Sequence, residues 1–100
     1  MASNYEKMKR AILILDGPEN LQARLASAYR TEVQYVDAKG LNAEMIYELE
    51  YINDQLTKVE AEGDKDTIDM SVETLIESEA KDLERQMRNI HDHLVSKKEV

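Results

Sequence analysis

His91-Asp92-His93 is the one histidine cluster in the chain. Two imidazoles at i, i+2 on a helix point in different directions and do not share a metal; helical ligand pairs need i, i+3 or i, i+4. A di-metal bundle would need Glu three residues before His, and those positions hold Arg88 and Ile90. Glu84 and Arg88 beside the cluster point to surface ion pairs instead. His91 falls at the edge of an apolar stripe beside Ile90, where a half-buried imidazole responds to pH. Asp64-Lys65-Asp66-Thr67-Ile68-Asp69, with Glu73 beyond, sets acids close to calcium-loop spacing. Counted from Asp64, the fifth loop position is Ile68 and the sixth is Asp69. An EF-hand requires an oxygen ligand and a glycine there, so the motif fails.

Carboxylates four apart, Glu44/Glu48 and Glu73/Glu77, would do acid–base work only in a cleft that shifts their pKa values. The serines lie in no nucleophile-elbow pattern, and the three glycines are isolated, so no phosphate loop exists. The expectation is a protein that is not an enzyme and that uses no cofactor and no metal.

The elements that would carry these residues are helices. Met45, Leu49, Ile52, Leu56 and Val59 recur at 4-3-4-3 spacing. The pattern returns as Val72, Ile76, Ala80, Leu83, Met87, Ile90 and Leu94, with one 4-4 step from Val72 to Ala80. Such spacing places apolar side chains on one helical stripe, as in a coiled coil, and the stripe must be buried. Upstream, Tyr5, Met8, Ala11, Ile12 and Leu15 share a face, widened by Leu13 and Ile14 into an end that should be well buried. A strand over Ala11–Leu15, paired with Glu32–Val36, is the alternative reading.

Asp16-Gly17-Pro18-Glu19 and Lys39-Gly40 punctuate the chain, and Asn42 and Thr67 are capping residues. The predicted helices cover residues 4–15, 18–37, 42–62 and 68–96, with 97–100 as a frayed tail. The fold class is all-α, one domain: a small four-helix bundle built on an antiparallel hairpin of the third and fourth helices, joined by a short link at Gly63. Pairing outward from that link exhausts the third helix near Arg88 and leaves Ile90 and Leu94 on an overhang. Either the two N-terminal helices or a second copy of the chain would cover it.

Composition narrows the partners. The 100-residue chain has no Cys, Trp or Phe, so Leu, Ile, Val, Met, Ala and five Tyr must fill its core. The apolar run Ala11–Leu15 follows Lys7, Lys9 and Arg10 but is too short for a signal segment, which needs ~7–15 apolar residues, or a bilayer span of ~20. A soluble, cytoplasmic protein is expected. The net charge is −8, and residues 42–79 hold twelve acids against two bases, or −10. The remainder holds eleven bases against nine acids, or +2. The acidic segment excludes nucleic acid and anionic membrane as partners and attracts a basic one.

On the predicted third helix, Ile46 falls at heptad position e, while Tyr47 and Tyr51, four apart, point away from the hairpin seam. With Ile90 and Leu94 they form the candidate interface, tyrosine being enriched in interface cores. The candidate acidic surface is Glu60, Glu62, Asp64, Asp66, Asp69 and Glu73. These features point to a small acidic protein-interaction module, an adaptor, chaperone or regulator, acting as a homodimer. The alternatives are an acidic mimic of nucleic acid that binds a basic protein, and a structural protein with weak divalent-metal binding at the acidic link.

Overall fold

The computed structural model describes residues 2–98, the side chain of Lys98 excepted. The chain is all-α. Its described residues form five α-helices, α1 (Asn4–Leu15), α2 (Leu21–Thr31), α3 (Ala43–Leu56), α4 (Thr67–Glu73) and α5 (Glu77–Lys98), with a 3-10 turn at Val33–Tyr35. Among these residues there is no strand, only an isolated bridge between Glu62 and Lys65, so the strand alternative for Ala11–Leu15 does not stand.

Local chemistry explains each start. Ser3 caps α1 by accepting the Glu6 N–H at 3.2 Å. Asn20 caps α2 and accepts the Ala23 N–H at 2.8 Å, so the helix begins at Leu21, three residues after the predicted start at Pro18. Asn42 caps α3 through the Met45 N–H at 2.9 Å, as its type requires. Asp66 caps α4 through the Asp69 N–H at 2.8 Å.

The ends differ more from expectation. The second helix stops at Thr31, not near 37, because the chain turns through Val33–Tyr35 to bury both Val33 and Val36. The third helix stops at Leu56, not 62. Beyond it the backbone leaves the helix so that the Val59 N–H donates to the fully buried Ser71 hydroxyl at 3.0 Å. That bond also satisfies a polar group which would otherwise be orphaned in the core. Gly63 does not end α3; at φ +64° it sits in the turn between Glu62 and Lys65.

The fourth predicted helix is broken. Thr74 closes α4, Leu75 is buried and Ile76 is 63% exposed. The Ile76 N–H donates to Glu79 Oε1 at 3.0 Å, which starts α5 afresh. The break falls at the single 4-4 step of the apolar repeat. A continuous helix would have buried Ile76; breaking it buries Leu75 and restores the 3-4 rhythm through Ala80, Leu83, Met87, Ile90 and Leu94. The expected tight hairpin of two long helices is thus replaced by α3, an irregular link, the short α4 and then α5. α5 continues through Lys98, two residues past the predicted end at 96. Glu99 and Val100 lie outside the described residues.

The core joins all five helices. α5 packs against α1, α2 and α3. Met8, Leu15, Leu25, Ile52, Leu56, Leu83, Met87 and Ile90 are its largest fully buried side chains besides Val33. Leu13 is 67% exposed, so the end of α1 is less covered than expected. Polar ties set the helix angles. The Tyr29 hydroxyl donates to Asn53 Oδ1 at 2.8 Å and joins α2 to α3. Arg24 donates to the carbonyls of Leu15 and Glu19, and Arg88 to Asp16 at 2.8 Å and Glu84 at 3.2 Å, which ties α5 to the α1–α2 turn. No helix among the described residues is long and apolar enough to cross a membrane.

Candidate interaction surface

α3 carries the candidate site. Its inner stripe, Met45, Leu49, Ile52 and Leu56, is buried. The period of 3.6 residues then leaves Glu44, Tyr47, Glu50, Tyr51 and Asp54 on the outer face, all exposed. Tyr47 is 72% and Tyr51 37% exposed, and they lie one turn apart. Ile46 is half-buried at the flank and packs against the core. α3 contains no Lys or Arg. Glu44, Glu48, Glu50 and Asp54 enter no ion pair among the described residues. One oxygen of Glu48 is buried without a hydrogen-bond partner there. The outer stripe is therefore two aromatic rings set among uncompensated carboxylates, over roughly 15 Å of helix at 1.5 Å per residue.

Ile90 and Leu94 belong elsewhere. Ile90 is fully buried and Leu94 is 7% exposed, inside the chain's own core. The overhang that the sequence predicts is covered by α1, which packs along α5. Ile90 offers no surface to a partner, Leu94 offers only an edge at the end of α5, and neither lies on the same face as Tyr47 and Tyr51.

The acidic link divides in two. Glu60, Glu62 and Asp64 are exposed and enter no ion pair among the described residues. Asp66, Asp69 and Glu73 are consumed internally. Arg30 of α2 donates to Asp66 at 3.1 Å and to Asp69 at 2.8 Å, and Lys65 pairs with Glu73. This clamp joins residues more than thirty apart and holds the start of α4 against α2. The Asp69 N–H, then Arg30, hold the Asp66 carboxyl below the usual carboxylate range.

That lowering has a pH consequence. A carboxyl whose folded pKa lies below its unfolded value of about 3.9 adds stability that is complete above the unfolded pKa. The contribution is lost as pH falls through the folded value. Asp66→Asn retains an N-cap acceptor but cannot titrate. Urea unfolding of wild type and Asp66→Asn from about pH 6 down to about pH 2 should show a stability gap at the upper end that narrows through the acid limb. Parallel curves would contradict the clamp.

The histidines serve packing. His91 stacks on Tyr5 of α1 with centroids 6.4 Å apart and planes 19° apart, and its Nδ1 lies 3.3 Å from Asp92. His93 Nε2 is buried with no hydrogen-bond partner among the described residues. No group of three or more His, Asp or Glu among them is placed to hold a metal ion.

The residues that sequence reading missed are Glu44, Glu50 and Asp54, whose spacing with Tyr47 and Tyr51 was available from the heptad positions. With this geometry in place, the chain itself has no match for comparison: no protein-family model, no curated protein and no solved structure matches it.

Proposed function

We propose that the chain is a small acidic protein-interaction module, an adaptor, chaperone or regulator, whose outer α3 stripe receives a basic amphipathic segment of another protein. The observation that carries this reading is Tyr47: a large aromatic side chain, 72% exposed, among carboxylates that have no cation of their own. Tyrosine supplies contact area at low entropic cost, and unpaired acids select Lys and Arg. An amphipathic helix laid along the stripe satisfies both demands.

The homodimer expected from the overhang loses that support, because α1 covers Ile90 and Leu94 within one chain. A twofold axis through the α3 stripe would set Glu44, Glu50 and Asp54 against their own copies, and like charges in contact destabilise. Nucleic-acid mimicry is the weaker reading, since Asp66, Asp69 and Glu73 already hold Arg30 and Lys65. The test is calorimetric titration with a synthetic amphipathic helix, Leu on one face and Lys on the other. Saturable binding should weaken by about tenfold or more when salt rises from about 0.1 M to about 1 M, as the Debye length shrinks from ~10 Å to ~3 Å. Absence of saturable binding, or affinity indifferent to salt, would overturn the reading.

A further inference from the structure

The opposite charge collects at one end of the molecule. A cleft of about 570 Å³ opens between the first turn of α1, the turn 37–40 and the last turns of α5. Among the described residues Lys7, Lys39 and Lys97 line it from three separate segments, with Asp37 as the one acid. The described lining thus sums to +2 in a chain of net charge −8. Lys39 and Lys97 enter no ion pair among the described residues. Lys7 spends one donor on the Tyr35 carbonyl at 2.8 Å. Asp37 lies close enough to feel both Lys7 and Lys39, and the excess of lysines over acid along one concavity leaves a positive potential there.

The cleft is built rather than incidental. Asn4 Nδ2 donates to the carbonyls of Asp37 and Lys39 at 3.0 and 2.9 Å, and to Asp37 Oδ1 at 2.9 Å. The Lys39 N–H closes on the same Asp37 oxygen at 2.9 Å. The turn that presents Lys39 is therefore clamped to the start of α1. The remaining wall is apolar: Leu94 and the ring of Tyr5 line it beside the lysines. Its volume lies in the range of small-molecule sites, ~300–1,000 Å³.

We infer that this cleft binds a small organic anion, with a phosphate or carboxylate head on Lys39 and Lys97 and an apolar body against Leu94 and Tyr5. The site is on different elements from the α3 stripe and does not depend on that reading. The test titrates the full chain, labelled with ¹⁵N, with phenyl phosphate, inorganic phosphate and benzylamine. Phenyl phosphate should give saturable shifts at the amides of Asn4, Lys39 and Gly40, with inorganic phosphate weaker and benzylamine inactive. Lys39→Ala/Lys97→Ala, which removes two exposed ammoniums and leaves the Lys7 bond intact, should weaken phenyl phosphate by about tenfold or more, the factor that one lost charged contact produces. No saturable shift at those amides, equal binding of inorganic phosphate, or unchanged affinity in a variant with a native spectrum would overturn the inference.

Discussion

Ile90→Ala should be among the most destabilising single truncations in the chain. Ile90 is fully buried on α5, which α1 and α3 both pack against. Truncation removes transfer free energy and leaves a cavity, at a cost of about 2–5 kcal/mol. A domain of this size shifts its Tm by about 4–8 °C per kcal/mol, so the midpoint should fall by at least about 8 °C. Because the contacts lie within one chain, the fall should be the same at every protein concentration. Thermal unfolding followed by circular dichroism over a wide concentration range reads both quantities. If Ile90 served an interface between chains, as the overhang in the sequence suggested, the loss would depend on concentration. A midpoint unchanged by the substitution would equally refute its place in the core.

The tyrosine pair should behave in the opposite way. Tyr47→Ala/Tyr51→Ala removes side chains that are 72% and 37% exposed, so the stability cost should stay at about 1 kcal/mol, most of it from Tyr51. Binding of the basic amphipathic helix should fall by at least about 30-fold, the equivalent of one hot-spot aromatic at ~2 kcal/mol. Glu44→Gln/Glu50→Gln/Asp54→Asn should instead flatten the salt dependence, because it removes the charges and keeps the rings. The two variants divide the stripe into its apolar and its electrostatic parts. Retained affinity in the tyrosine variant would remove Tyr47 and Tyr51 from the site.

How far the sequence could be read depended on whether the deciding interaction was local. The start and end of α1 and the cap of α3 follow from Ser3, Asp16-Gly17 and Asn42, whose effects reach only a few residues. The buried stripe of α5 follows from spacing alone. The exits of α2 and α3 do not, because they are set by distant partners. Val33 and Val36 turn inward to reach the core, and Val59 leaves its helix for the hydroxyl of Ser71. The break before α5 had a visible trace in the 4-4 step, but only packing decides that Leu75 is buried and Ile76 exposed.

The candidate site was legible to the same degree. Helical period alone points Tyr47 and Tyr51 outward, and both are exposed. Periodicity leaves Ile90 and Leu94 on an overhang open to either the N-terminal helices or a second copy, because it cannot show which helix lies over a stripe. Arg30, far away in sequence, takes up two of the six acids of what reads as one acidic surface, and Lys65 takes up a third. The four carboxylates of α3 are left as the uncompensated group nearest the exposed rings.

The most direct measurement is the location of binding. The ¹⁵N-labelled chain is titrated with the Leu/Lys amphipathic helix, and amide shifts are mapped along the sequence. Perturbation centred on Tyr47, Glu50, Tyr51 and Asp54 is the result that the α3 assignment requires. Perturbation centred on Glu60, Glu62 and Asp64, with α3 unmoved, would contradict it.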